Sequence, residues 1–209
     1  YDEAKDFDSD KELFHFKNAN ELDIDINSDR RKNNDILKNY SISQLFHITH
    51  LDNIQNIMKK GILSHNIAHG DDHIVEDISL ESVNDKRNFI EPYHNRNIHD
   101  YVPLYFTPKN PMLFLRKAMS EELVMLAITS EIMLDETCLF TDGNAASRMT
   151  SIFKDYEKLN QLDWDCLADK YWNNHPDGKR KKCSEVLVLE RIKKKYISKV
   201  IVNNNSLKN

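Results

Sequence analysis

Four glycines in 209 residues leave this chain without the loops on which most nucleotide-binding folds are built. Neither G-x-G-x-x-G nor G-x-x-x-x-G-K-[ST] occurs, which excludes a Rossmann phosphate loop and a Walker A loop. Any phosphate must then be held by cationic side chains rather than by bare backbone. The length suits one large domain, and 40% apolar with 30% charged residues supports a packed core. No apolar run approaches the ~18 residues of a membrane span, so no membrane partner is expected. Cys138, Cys166 and Cys183 are odd in number and widely spaced, which fits neither a disulfide framework nor a C-x-x-C metal site. They point to a reducing, cytoplasmic setting.

The net charge of −5 conceals a strong asymmetry. Residues 1–29 hold ten acidic and three basic side chains, whereas residues 179–199 hold nine basic and two acidic ones. A basic run can attract phosphates in a chain that is acidic overall, or it can be a solvated face.

Order along the chain is mixed. Residues 1–43 are polar and read as an N-terminal extension of unknown role, with Leu22, Ile24 and Ile26 alternating as in a short strand. Gln44–Thr49 reads as a strand, followed by a helix capped by Asp52 or Asn53 and ended at Gly61. Residues 64–100 are polar and His-rich, as in a functional loop or lid. Strands are expected over 100–107, with Pro103 marking an edge or bulge, and over 123–129, 137–141, 185–189 and 196–202. Helices are expected over 111–118, 145–159 and 164–172. This order is α+β, with 44–209 as the main domain.

Few residue patterns carry chemistry on their own. His47 and Thr49 sit at i and i+2 of a strand and share a face, which either lines a site or caps a strand end. Glu185 stands between Lys179, Arg180, Lys181, Lys182 and the apolar run Val186–Leu189. A carboxylate there is either an edge residue paired with lysine or a catalytic group at the start of a core strand. His65, His69 and His73 are spaced four apart, but Gly70 interrupts them and Asp71 and Asp72 favour a turn, so no metal is expected.

Several blocks in register resemble the DarT family of nucleic-acid ADP-ribosyltransferase toxins. They are FHITHLDN (46–53) with GILS (61–64), DYVPLYF (100–106) with PML (111–113), FTDGNA (140–145), LDW (162–164), and the run from Arg180 to SEVLV (184–188). The resemblance implies an ADP-ribosyltransferase-like α+β fold, a split mixed β-sheet with flanking helices around a cleft for NAD⁺. It implies that His47, Ile48, Thr49, Asn56, Ser64 and Arg87 contact NAD⁺, the ADP-ribose donor, and that Glu185 and Arg87 are catalytic. Arg96 is the competing arginine. Asn144 departs from the family pattern, in which histidine often follows FTDG.

The activity implied is transfer of ADP-ribose to a base in single-stranded DNA, by a toxin paired with a cognate macrodomain-type antitoxin. Transfer to RNA or protein, or a silent nucleic-acid-binding module, are the alternatives. Lys179, Arg180, Lys181 and Lys182 are the candidate contacts to DNA phosphates. Tyr93, Tyr101 and Trp172 are candidates for base stacking, with core or rim positions as the alternative.

Overall fold

A computed structural model of the chain describes residues 28, 30–70, 76–78 and 81–202. The strand expected at 22–26 and His73 lie outside these residues. The described elements are helix α1 (30–39), β1 (Gln44–His50), α2 (Ile54–Lys60), β2 (Ile62–Leu63), α3 (His65–Gly70), α4 (Glu81–Arg87), β3 (Tyr101–Tyr105) and α5 (Pro111–Leu115). There follow β4 (Leu123–Thr129), β5 (Leu139–Thr141), β6 (Ile152–Phe153), α6 (Trp164–Ala168), α7 (Gly178–Lys181), β7 (Glu185–Leu189), β8 (Arg191–Ile192) and β9 (Ile197–Val202).

The apolar runs Leu123–Thr129 and Glu185–Leu189 become inner strands, as such runs do when both faces are covered. The main sheet has seven strands in the order β6-β5-β7-β3-β1-β4-β9, and β2 pairs with β8 in a second, two-stranded sheet. The α+β class stands. The pairings among the described strands are antiparallel, however, rather than a mixture of parallel and antiparallel.

Pro103 does not mark an edge. It lies in β3, an inner strand between β7 and β1. Its carbonyl faces β1, where it meets His47 Nδ1 at 3.1 Å. The missing N–H therefore faces β1 as well, since the two groups of one strand residue point to the same neighbour. The β1–β3 ladder contracts to the single pair Phe46↔Tyr105, whereas β1 pairs with β4 from Gln44 to His50. The sheet parts at this point.

Residues 30–42 belong to the folded unit, which moves the domain boundary expected at residue 43. Leu37 is fully buried in the main core, Ile36, Tyr40 and Ile42 pack against that core, and Tyr40 stacks on Trp164 at 5.0 Å. The helix expected over 145–159 is absent. Side chains there take the backbone groups a helix would need: Asn144 Oδ1 accepts from Ala146 N, Ser147 Oγ from Met149 N, and Thr150 Oγ1 donates to Asn144 O. The two other expected helices are shorter than predicted, each followed by a 3-10 turn, Lys117–Met119 or Trp172–Asn174.

Within the polar stretch 64–100, the described residues around Glu91 form a hydrogen-bonded unit. Glu91 is fully buried and accepts from the backbone N–H groups of Tyr93, His94 and Arg96 and from the Tyr101 hydroxyl. Burial opposes its ionisation, yet these four donors hold its pKa below the usual carboxylate value.

Lys182 shows why a charge run need not be a surface. Its ammonium, in a residue only 2% exposed, donates to the carbonyls of Cys166, Leu167 and Asp169 at 3.2, 2.7 and 2.6 Å. These carbonyls close the C-terminal end of α6, where helices leave acceptors unpaired. Lys182→Met keeps the volume and removes the donors, so we expect about 2 kcal/mol lower stability. The check is a urea midpoint; an unchanged midpoint rejects this capping role.

Candidate active site

The parted strands β1 and β3 enclose a cavity of about 200 Å³. His47, Ile48 and Thr49 line it from β1, Tyr101, Pro103 and Tyr105 from β3, and His65, Asn84, Arg87 and His99 from the 64–100 segment. His47 and Thr49 share the cavity wall, as their spacing required. His47 is half-buried, and desolvation lowers its pKa, partly offset by the Pro103 hydrogen bond. A neutral imidazole that donates Nδ1–H to Pro103 O keeps Nε2 as an acceptor.

Asn53, missed by the sequence reading, is buried and ties this wall together. Its amide donates to Thr49 Oγ1 at 3.2 Å and to Glu76 O at 2.7 Å, and its Oδ1 accepts from Glu76 N at 3.1 Å. Asn56 lines a smaller side cavity that also touches His47 and Thr49. Ser64 is buried between Leu63 and His65, both on the main cavity, and its hydroxyl has no hydrogen-bond partner among the described residues.

At the far end of the cavity stands a buried ion pair. Arg87 Nη1 lies 3.1 and 2.9 Å from the two oxygens of Glu185, a residue 1% exposed. Arg87 Nη2 is buried and lacks a hydrogen-bond partner. Arg96 pairs instead with Asp100 and Glu190 near the surface. Glu185 also accepts from Ala145 N at 3.3 Å, and its own N–H donates to Thr141 Oγ1 at 3.0 Å. Beside it in register, Tyr105 has its phenol pKa pushed well up by burial and by the Glu185 charge, so its proton is retained.

Arg87, Tyr105 and Met112 form a shared wall to a second cavity, of about 320 Å³. Glu185 faces this one, with Asn144 from FTDGNA, Ser147 and Met149 just after it, and Lys179 and Arg180 from α7. Of the four basic residues expected to meet phosphates, only Lys179 is exposed. Lys182 caps α6, Lys181 pairs with Asp163 at 2.9 Å, and Arg180 binds Asp142, Thr150 and Asp177. Tyr101 is 1% exposed and bonded to Glu91, which removes it as a stacking partner. Tyr93 is exposed with its hydroxyl on Ile152 O. Trp172 packs edge-on to Phe114 in a separate groove of about 790 Å³ across α5, whose lining has no carboxylate.

Comparison with known proteins places this geometry. Residues 46–209 match the family described as "ssDNA thymidine ADP-ribosyltransferase, DarT". The chain belongs to the DarT family. It is 33% identical over 168 residues to a DNA ADP-ribosyl transferase–DNA ADP-ribosyl glycohydrolase fusion protein of Thermosipho africanus, covering 78% of this chain and 43% of that protein. The chain thus spans less than half of that relative. DarT of Thermus sp. 2.9 in complex with ADP-ribosylated ssDNA superposes with a TM-score of 0.71 at 26% identity, over 80% of this chain and 84% of the other. The same protein in complex with NAD⁺ gives 0.66 at 25% identity, over 79% and 84%.

Two expected outcomes follow from the site's construction. A β-carbon on Gly143 would lie 2.3 Å from the Arg180 guanidinium, so Gly143→Ala must displace Arg180 from Asp142 and Thr150. The amide of Ala145 should then exchange about tenfold faster in hydrogen-exchange mass spectrometry, as a loss of ~1.4 kcal/mol of local stability requires; unchanged exchange rejects the clamp. For His47, a lowered native pKa means that the unfolded chain binds the proton first on acidification. Stability therefore falls as pH drops from about 6.5 toward the lower native value, and not above 6.5. A series of melting temperatures for wild type and His47→Asn tests this, with a shallower acid slope expected for the variant.

Proposed function

We propose that this protein transfers ADP-ribose from NAD⁺ to a thymidine base in single-stranded DNA. The observation that carries the reading is the buried Arg87–Glu185 pair on the wall between two cavities, with one guanidinium nitrogen left unpaired. An orphaned buried donor costs about 1–3 kcal/mol, which an acceptor on a bound ligand would recover. The family's description and the two Thermus complexes support the donor and the acceptor.

The residues present fit the donor. Arg87 Nη2 offers a cation, Ser64 Oγ an unpaired hydroxyl, and His47 Nε2 an acceptor for a ribose hydroxyl. Ile48, Thr49 and Asn56 complete that side. NAD⁺ when bound supplies an ADP-ribosyl group whose bond to nicotinamide breaks with positive charge building on the ribose. Glu185 holds a fixed anionic oxygen for that charge, and the Ala145 N–H and Arg87 keep its carboxylate from turning. The second cavity is the acceptor side, where Lys179 is the exposed cation for a DNA phosphate. A base must leave its stack to enter, which favours a single strand.

The same reading makes the protein a cytoplasmic toxin restrained by a macrodomain-type antitoxin that removes the modification. The fusion of the Thermosipho relative to a DNA ADP-ribosyl glycohydrolase supports it. Among the described residues no helix is long and apolar enough to cross a membrane.

The test supplies labelled NAD⁺ with thymidine-containing and thymidine-free single-stranded oligonucleotides, RNA and protein. Label is expected on thymidine-containing DNA, and Glu185→Gln is expected to fold yet lose ~10²-fold or more in rate. Label on RNA or protein alone overturns the acceptor. A folded Glu185→Gln variant at wild-type rate overturns the catalytic assignment.

A further inference from the structure

We propose that His65, His69 and Asp77 form a binding site for a divalent transition-metal ion of the Zn²⁺ type at the rim of the donor cavity. The spacing of His65, His69 and His73 alone predicts no metal; His73 lies outside the described residues, and the structure brings Asp77 to His65 and His69. His65 and His69 are at i and i+4 on α3, so their rings share a helix face, with centroids 4.1 Å apart. Asp77 comes from a separate segment, its Oδ2 at 3.2 Å from His69 Nε2. One possible ligand atom from each residue lies within 4.8 Å of the other two.

A tetrahedral ion with bonds of ~2.0–2.2 Å to nitrogen and oxygen holds its ligand atoms roughly 3.4 Å apart. The three ligand atoms, within 4.8 Å of one another, would have to draw together to reach that size on binding. The placement of Asp77 does not depend on the histidines, because Asn53 grips the backbone of Glu76 at both N and O. The His69–Asp77 ion pair engages two of the groups and the His65 ring packs between those of His69 and His99, whereas an ion would draw on all three ligand atoms at once. Two histidines and a carboxylate form a three-ligand donor set of the kind zinc accepts with one position open. The three cysteines are buried, so thiols do not compete.

The experiment titrates Zn²⁺ into the full chain by calorimetry, without NAD⁺ or DNA, and records the Co²⁺ absorption spectrum. One ion per chain and tetrahedral Co²⁺ bands are expected. His69→Ala and Asp77→Asn are each expected to weaken binding by about tenfold or more, the scale even outer-shell losses reach. Both side chains are over 30% exposed, at 39% and 34%, so the variants keep the fold. His175→Ala, at an imidazole paired with Asp169 elsewhere, leaves binding unchanged. Absence of saturable binding, wild-type affinity in both site variants, or loss in His175→Ala overturns the proposal. None of these outcomes involves NAD⁺ or DNA, so failure here is distinct from failure of the transferase reading.

Discussion

The parting of β1 from β3 at Pro103 is the constraint from which the site follows. An inner strand with a missing N–H leaves a gap in its ladder. The Pro103 carbonyl, which faces the same gap, is bonded by the His47 ring in place of a backbone donor. The same imidazole becomes a wall of the cavity, with Nε2 as an acceptor. On the other side β3 keeps full register with β7, from Tyr101↔Leu189 to Tyr105↔Glu185. A one-sided break thus opens a cleft while the strand carrying Glu185 stays rigid. Rigid elements hold reacting groups better than loops do.

Across that cleft the Arg87–Glu185 pair joins residues 98 apart in sequence. Burying two charges is costly, and attraction repays the cost only with good geometry and further donors. Glu185 has them in Arg87 Nη1 and Ala145 N–H, while Arg87 keeps a nitrogen unpaired. The imbalance is directional, with the anion held and the cation left partly unsatisfied. The wall that presents Arg87 is itself fixed at two points, by Asn53 on Glu76 and by the donors around Glu91.

The sequence made the strands legible because their apolar runs are long and β-rich; 123–129 and 185–189 match their expected bounds. His47 and Thr49 were legible as one face by period alone. The helix expected over 145–159 failed because local side-chain hydrogen bonds outbid the helix, and apolar periodicity does not register such bonds. The inner position of Pro103 was hidden because a lateral neighbour, not the strand itself, makes proline tolerable. That Arg87, and not Arg96, meets Glu185 depends on a fold-back of 98 residues, which no local pattern encodes. Thr141, Ala145, Tyr105 and Met112 went unnoticed for a related reason. Two act through a backbone amide or a short hydroxyl bond, and two through the space they divide.

The basic run before Glu185 shows how charge can serve the scaffold. Within 179–182, a field depends on which charges remain unneutralised. Lys182 spends its charge on three carbonyls, Lys181 on Asp163, and Arg180 on Asp142 and Asp177. These pairings bind α7 to α6 and to the FTDGNA loop, the two elements that flank the start of β7. The run precedes Glu185 because it anchors that strand from behind, and Lys179 is the member left facing the second cavity. A cluster that looked like a phosphate track is mostly the scaffold that aims a carboxylate.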